Sequence, residues 1–333
     1  MSRVDVIVPC YNYGRYLREC VRSALTQEGV EVRVLIIDDA SHDDSEQVGR
    51  NLAAQDSRVE FRRHALNRGH IETYNEGLDW ASGEYTLLLS ADDVLTPGAL
   101  ARAACVMDAH PEVGLTYGRA ISTAAPSPHD FTPPAEFRWS VKTGAEWLAE
   151  RCAGTNHPVL TPTAVVRTAI QRRIGGYSKE LPHAGDLEMW MRFAAHAAVG
   201  FVGADQAYYR THASNMFLRY SGILDLRQRK EAFDYFFRTC GDLVPDSDSL
   251  KKLAQQRDAS MAVWRAMQAF EAGDCAACRD IIAFARAEYP RARFGLLWRL
   301  KVKQLLGPKA WSAVAPIFRR LRRGRHTVAT GVS

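Results

Sequence analysis

The sequence predicts an α/β protein: a mostly parallel, doubly wound sheet flanked by helices, followed by an all-helical region. Three observations carry that prediction. Short β-branched runs alternate with segments of helical periodicity through about residue 117. Three of those runs end in turn-forming or acidic residues, at Pro9, Asp38–Asp39 and Asp92–Asp93. Beyond about Leu224 the apolar residues recur only at helical spacing, with no further strand-like run.

The elements follow in order. "VDVIV" (Val4–Val8) and "VRVLII" (Val32–Ile37) read as strands buried on both faces of a parallel sheet. Between them Tyr16, Leu17, Cys20, Val21, Ala24 and Leu25 share one helical face. Ser41 and Asp44 have capping-box spacing ahead of a second helix. Val59–Phe61 is a short third strand; Ile71, Tyr74 and Leu78 mark a third helix, and "YTLLLS" is a fourth strand. Thr96-Pro97 predicts an N-cap with proline at the first helical position. Residues 122–134 read as a proline-rich loop. "TAVVR" (Thr163–Arg167) and "GGY" (Gly175–Tyr177) look strand-like, and Leu187, Trp190, Met191, Ala194 and Ala195 give an apolar face to a helix beginning at Asp186. Farther on, "AVWRAMQAFEAGDCAACRDIIAFARAEYP" predicts a helical hairpin turning at Gly273-Asp274.

Composition narrows the function classes. At 333 residues, 47% hydrophobic and 24% charged, the chain is an ordinary globular protein, longer than one core usually needs. A net charge of +5 is modest and the basic residues cluster only near the end, which argues against a nucleic-acid binder. Seven scattered cysteines suggest reduced thiols in a cytosolic compartment, and the C-x-x-C of Cys275 and Cys278 lacks the second pair that a zinc site needs. The first apolar run is too short for a signal peptide and carries Asp5, and no stretch has membrane-spanning length, so a cytoplasmic location is expected. Near the end, Trp311, Val314, Phe318 and Leu321 share a helical face while Arg319, Arg320, Arg322, Arg323 and Arg325 crowd beside it. Such a basic amphipathic helix suits peripheral attachment to an anionic membrane on its inner face; the alternative is a helix packed on its own domain with solvated arginines.

Doubly wound sheets bind ligands at the carboxyl ends of their strands, where Pro9, Asp38–Asp39 and Asp92–Asp93 fall. Adjacent carboxylates repel and lose hydration when enclosed. A hard divalent cation, Mg²⁺ or Mn²⁺, offsets that cost and would in turn neutralise a diphosphate. The competing reading is a solvated turn whose charge favours a helix N-terminus. Neither a G-x-G-x-x-G after the first strand nor a P-loop occurs, so a dinucleotide fold and a P-loop ATPase are both unsupported. An aspartate ending the second strand can accept the imide N–H of uracil or thymine.

Together, "VIVPCYNYGRYLRECVRSALTQ", "VLIIDDASHDDS", "ALNRGHIETYNEGLDWASGEYTLLLSADD" and "GDLEMWMR" resemble the family-2 inverting glycosyltransferases of GT-A fold, in that family's order over roughly residues 3–217. The resemblance implies a nucleotide-sugar donor, UDP-linked by preference, a divalent metal (Mn²⁺ or Mg²⁺), and transfer with inversion to a hydroxyl of a glycan or lipid-linked glycan in surface polysaccharide biosynthesis. It places Pro9 and Tyr11 beside the nucleotide, Asp39 on the base with Asp38 supporting it, Arg68 on nucleotide or phosphate, and Asn75 in the donor site. Asp93 matches the metal-binding carboxylate, Asp92 faces the donor's sugar or ribose, and Asp186 matches the catalytic base. His212 in "YYRTHASN" is a candidate for the metal or diphosphate, against a surface-loop histidine. The spelling "SADD" in place of D-x-D leaves the role of Asp92 open. Trp190 reads as a buried aromatic in preference to a sugar-stacking one. No Q-x-x-R-W follows Asp186, which argues against a processive synthase. The expected organisation is a GT-A domain over 1–224 and a helical region over 225–333 with the basic tail. Competing readings are a sugar-phosphate nucleotidyltransferase, which would want a glycine- and arginine-rich loop where "PCYNYGRY" stands, and a non-catalytic glycan-binding scaffold.

Overall fold

The computed structural model describes residues 1–126, 131–134, 136–155, 158–215, 222–290, 301 and 305. The first half is a run of βα units: β1 (Arg3–Cys10), α1 (Gly14–Leu25), β2 (Glu31–Asp38), α2 (Ser45–Gln55), β3 (Val59–Arg63), α3 (His70–Trp80) and β4 (Tyr85–Leu88). The strands lie in the order β3-β2-β1-β4, all parallel. Both faces of β1 are buried, which is why its sequence is apolar apart from Arg3 and the ion-paired Asp5. Val4, Val6 and Val8 join Leu17 and Val21 of α1 in one cluster, while Ile7 faces the opposite cluster under α3. Gly77 permits that close approach, since a Cβ there would lie 2.2 Å from Ile7 Cγ2.

The second half contains β5 (Val94–Leu95), α4 (Ala99–Ala109), β6 (Val113–Thr123), β7 (Trp139–Lys142), α5 (Gly144–Ala153), β8 (Val165–Arg167), α6 (Thr168–Ile174), α7 (Gly185–His196) and β9 (Ala198–Arg210). Here the sheet is mixed. β8 inserts antiparallel between β4 and β6; β6 and β9 run parallel, and β5 and β7 both pair antiparallel with β9. The parallel reading therefore holds for the half that ends in Asp38–Asp39 and Asp92–Asp93, and the mixed pairing belongs to strands the sequence shows weakly. Register shifts at Gly118 and Arg119 break the β6–β9 ladder, and Gly200, Gly203, Asp205 and Gln206 interrupt the apolar alternation of β9.

Several local expectations change. Thr96 does not cap α4: the helix starts behind Gly98, in the left-handed region at φ 73°, and the Thr96 hydroxyl donates to the Asp205 carbonyl at 2.7 Å, tying the start of α4 to β9. The Ser41–Asp44 box does not form, because Ser41 Oγ instead accepts the Asn12 N–H at 2.8 Å. Gly175–Tyr177 is not a strand, being a connection after α6. The helix carrying Asp186 begins one residue earlier, so Asp186 lies inside its first turn and Ala184 is the N-cap.

Beyond them lie α8 (Ile223–Cys240), α9 (Ser247–Glu271) and α10 (Cys275–Glu288). The hairpin turns where the sequence places it, with Asp274 accepting the Ala277 N–H at 2.9 Å as N-cap of α10. Ala232, Phe233 and Phe236 of α8 bury into the cluster that holds Trp147 of α5 and Trp190 and Phe193 of α7, so hydrophobic contact runs across residue 224. Trp190 is 3% exposed, as the core reading expects. The arginine-rich segment 311–325 lies outside the described residues. No described helix is long and apolar enough to cross a membrane.

Candidate active site

The site begins at the ends of β1 and β2. Ile7 accepts the Leu89 N–H through its carbonyl. Pro9, two residues on, turns its missing donor to the same side, just past the last β1–β4 pair at Ile7 and Leu88, where no ladder bond is lost. The loops that follow each contain a non-glycine residue in the left-handed region, Asn12 and Ala40, both at φ 58°. Such residues cost about 1–3 kcal/mol and persist where surrounding bonds hold them. Here the bonds cross between the loops: Asn12 N–H donates to Ser41 Oγ, and His42 N–H donates to Asn12 Oδ1 at 2.8 Å. Tyr11, at the tip, is 44% exposed, with its ring edge-on to His42.

Asp39 is the hub of this corner and is 4% exposed. Its Oδ1 accepts the Arg68 N–H at 2.7 Å and faces His64 Nδ1 at 2.7 Å, and its Oδ2 accepts the Gly69 N–H at 2.9 Å. Gly69 has φ 86° and ψ 156°, backbone that only glycine adopts freely, so the loop can present two consecutive N–H groups to one carboxylate. The Arg68 guanidinium reaches outward to Glu72 and Glu76; the part of Arg68 that meets Asp39 is its backbone. Asp38 is fully buried; Oδ1 accepts the Ser41 N–H at 3.2 Å, and among the described residues Oδ2 has only the Arg63 guanidinium, at 3.5 Å.

The second corner joins the end of β4 to the end of β9. Asp92 and Asp93 are 6% and 2% exposed. Arg210, which no sequence pattern marked, clamps both: its N–H donates to Asp93 Oδ1 at 3.0 Å and its Nε donates to the Asp92 carbonyl at 2.8 Å. Its guanidinium continues to Glu19 and lies over the Tyr16 ring at 4.5 Å. His212 Nε2 is 3.0 Å from Asp92 Oδ2, Ser214 Oγ meets its Nδ1 at 2.9 Å, and the ring stacks on Tyr16 and meets Tyr13 edge-on. Burial, then the neighbouring Asp92, pushes the Asp93 carboxyl well above the usual carboxylate range, against the opposing pull of Arg210.

Asp186 is half-buried, surrounded by protein yet touching solvent. Its Oδ1 accepts the Leu187 N–H at 2.6 Å. Burial raises its carboxyl pKa, opposed by that bond and by the charges of His183, Arg229 and Arg151. Tyr74 and Tyr209 connect the carboxylates: burial first, then Asp186, Asp92 and Asp93 together, raise both phenols, that of Tyr209 to about 12. Both rings thus feel the charge of all three carboxylates. Asn75 lies nearby with its amide engaged at both ends by Tyr177: Nδ2 donates to the carbonyl at 3.0 Å, and Oδ1 accepts the N–H at 2.7 Å. What it fixes is the connection leading to α7.

Among the described residues no three His, Cys, Asp or Glu side chains enclose a cation position by themselves. Two adjacent buried carboxylates with a histidine against one of them nevertheless suit Mg²⁺ or Mn²⁺, which usually take one or two protein carboxylates and complete their shell with phosphate oxygens and water. A cation would also offset the burial and the Asp92 charge that make Asp93 hard to ionise.

The architecture sets the class. The structure aligns with that of TarS 1-349 from S. aureus in complex with UDP-GlcNAc at a TM-score of 0.57 and 16% identity, covering 86% of this chain and 92% of that one. It also aligns with the mannosyltransferase PcManGT from Pyrobaculum calidifontis in complex with GDP-Man and Mn²⁺, at a TM-score of 0.53 and 18% identity, over 86% of this chain and 80% of that one. The fold is that of a GT-A α/β protein with helices at its C-terminal end. Residues 5–149 match the family described as Glycosyl transferase family 2, so the chain carries a family 2 glycosyltransferase domain. An uncharacterized protein of Mycobacterium tuberculosis is 28% identical over 251 residues, 68% of this chain and 73% of that protein. The GalNAc(5)-diNAcBac-PP-undecaprenol beta-1,3-glucosyltransferase of Campylobacter jejuni is 36% identical over 101 residues, 30% of this chain and 33% of that enzyme. The match thus spans about a third of the enzyme whose reaction is named.

Proposed function

We propose that the protein is an inverting glycosyltransferase that moves a sugar from a nucleoside-diphosphate donor, UDP-linked by preference, to a hydroxyl of a glycan or lipid-linked glycan in surface polysaccharide biosynthesis. The observation that carries this reading is the buried Asp92–Asp93 pair with Arg210 and His212 against it, together with Asp39 held by backbone donors at another carboxyl strand end. The nucleotide-sugar complexes of the two structural neighbours and the named Campylobacter relative support it.

In this reading Asp39, held by Arg68 and Gly69 N–H groups, accepts the imide N–H of the base, with Pro9, Tyr11 and Asp38 shaping that end of the cleft. Asp93, with Asp92 and His212, would hold the divalent cation, which stabilises the leaving diphosphate when bound. Arg210 holds the Asp93 carboxylate and the Asp92 backbone in place. Asp186 takes the proton of the acceptor hydroxyl; its Oδ1 is engaged by Leu187, and Oδ2 serves the acceptor. A carboxyl raised by burial is a better base than an exposed one, provided that the working pH keeps it ionised. One base suffices for a single in-line displacement, the step that inverts the anomeric centre. Asn75 positions the α7 approach, and Arg68 acts through its backbone. Residues 311–325 would attach the enzyme to an anionic membrane, a reading that rests on sequence pattern alone; equal vesicle co-sedimentation of the full chain and a chain ending at Pro308 would remove it.

The test is a donor-hydrolysis and binding screen over UDP-, dTDP- and GDP-sugars with Mn²⁺ and Mg²⁺. Metal-dependent binding and turnover of one class are expected. Failure to bind any nucleotide would overturn the reading.

A further inference from the structure

We propose that His70 is a positioning residue for Asp186, and that through it helix α3 ties the segment delivering Asp186 to the nucleotide corner at Asp39. The proposal rests on the glycosyltransferase reading above, in which Asp39 meets the base of the donor and Asp186 takes the acceptor's proton.

The need for a brace follows from the local chain. Residues 175–184, which lead into Asp186, form neither helix nor strand. Such a connection holds a side chain in one place only where outside bonds fix it. α3 supplies a row of them. His70 Nε2 lies 2.7 Å from the Pro182 carbonyl; a carbonyl only accepts, so Nε2 carries the proton and donates it. The largely exposed Lys179 meets Glu72 Oε1 at 2.5 Å, and the Asn75 amide takes both backbone groups of Tyr177. The two pieces lie close together: a Cβ on Gly185, the residue before Asp186, would stand 3.9 Å from Ile71 Cδ1.

What singles out His70 is its neighbour in the chain. Gly69 donates its N–H to Asp39 Oδ2 at 2.9 Å, while its carbonyl accepts the Thr73 N–H at 3.2 Å and the Thr73 hydroxyl at 3.0 Å. The first turn of α3 therefore grips Asp39 through one residue and Pro182 through the next. Pro182 is followed by His183, whose N–H donates to Gln228 Oε1 of α8 at 3.0 Å and whose Nε2 lies 3.0 Å from Asp225 Oδ1. The turn before Asp186 is thus pinned between α3 and α8, and the α3 side is the one that also touches the nucleotide corner. The His70–Pro182 bond is partly buried, so it counts for more than the exposed pair of Lys179 and Glu72. A nucleotide seated on Asp39 firms the backbone of residues 68–70 and, through His70, the turn that aims Asp186. A shift of about 1 Å in a reacting group can cost about 10²-fold in rate. Loss of the brace is therefore read in turnover and not in donor affinity.

The experiment compares the full chain as wild type, His70→Leu, His70→Gln and Lys179→Met, each with Mg²⁺ and UDP. Calorimetry reads UDP affinity, and hydrogen–deuterium exchange reads residues 178–187. Hydrolysis of the nucleotide sugar selected by the donor screen reads kcat and KM. UDP should slow exchange over 178–187 in the wild type. His70→Leu, which keeps the bulk and removes the donor, should lose that slowing and lower kcat by about 10-fold or more, with UDP affinity and KM unchanged. His70→Gln, whose amide can donate to the same carbonyl, should recover part of both effects. Lys179→Met removes an exposed ion pair from the same segment and should change neither. If His70→Leu does not fold, His70→Asn, whose amide is too short to reach Pro182, takes its place. Exchange over 178–187 that UDP leaves untouched in the wild type overturns the link. So does a UDP affinity that falls along with kcat in His70→Leu, or an equal loss in Lys179→Met. Absence of UDP binding by the wild type would instead overturn the glycosyltransferase reading beneath it.

Discussion

His64 Nδ1 lies 2.7 Å from Asp39 Oδ1, while its Nε2 lies 3.0 Å from Glu76 Oε2, so one buried ring braces the strand-end carboxylate against α3. Removing the brace in His64→Leu leaves Asp39 its two backbone donors and takes away its side-chain partner. A hydrogen bond to a charged group is worth about 1.5–3 kcal/mol. UDP affinity should fall by about 10-fold or more on that scale, with a lowered Tm, and His64→Gln should recover part of both. Unchanged calorimetric UDP affinity in His64→Leu would mean that the Asp39 corner does not hold the base.

Asp93→Asn separates stability from function. The carboxylate is buried beside Asp92, so an amide that is never charged relieves repulsion, and its oxygen can still accept the Arg210 N–H. The metal-free variant should melt at or above the wild-type temperature, yet lose metal-dependent UDP binding and transfer. Turnover of the wild type that persists in excess EDTA would remove the metal role altogether.

For Asp186, the expected signature is a pH profile. Burial raises its pKa, so the protonated, inactive form persists to higher pH than for an ordinary aspartate. The transfer rate should climb with pH through that raised value and then level off. Asp186→Asn should keep donor affinity, lower transfer by about 10²-fold or more, and flatten the climb. Folding stability moves in the opposite direction: a raised folded-state pKa favours the protonated fold, so this group's contribution declines as pH rises from the unfolded value through the folded one. Collapse of donor binding in Asp186→Asn would show a structural residue instead of a base.

Asp5 gives the reverse case. Fully buried, it takes two bonds from the Arg33 guanidinium, at 2.9 and 2.7 Å, and the N–H groups of Ser82 and Gly83 at 2.6 and 2.7 Å. Burial alone would raise its carboxyl pKa, but these donors outweigh it and hold it below the usual range. The stabilisation is thus present above the unfolded pKa and lost as pH falls toward the folded one. Asp5→Asn should cost about 3 kcal/mol in urea unfolding at neutral pH, the low end for a broken buried pair because Arg33 keeps one side in water. The difference from wild type should shrink on acidification.

The parallel half of the fold was legible because β1, β2 and β4 are largely buried on both faces and lead into residues with a chemical reason to be there. Val4–Val8, Val32–Ile37 and the run before Asp92 announce themselves by composition alone. β9 did not, since a strand that bulges and serves three neighbours no longer alternates cleanly. The same divide runs through the site. Asp39, Asp93 and Asp186 stand beside recognisable runs, whereas Arg210 and His64 act through pairings with residues far away in sequence, and nothing in "YYRTHASN" or "RRHALN" states that partner. Arg68 and Asn75 illustrate a further limit: the letters were noticed, but the working atoms of Arg68 toward Asp39 are its backbone, and the Asn75 amide is spent on Tyr177.

The pairing of β9 with β5 has a consequence for how the protein is made. Val94 and Leu95 find their ladder partners at Tyr208 and Ala207, more than a hundred residues later, and Arg210 closes on Asp92 and Asp93 from the same strand end. During synthesis the βα units before β5 can fold as they emerge, but the two acidic residues stay without their clamp until the chain past residue 212 has left the ribosome. Contacts of such sequence separation form slowly. A nascent chain stalled within the family-matched segment would expose the edge of β5 and an incomplete cation site, so any fragment made for study should extend beyond Asn215.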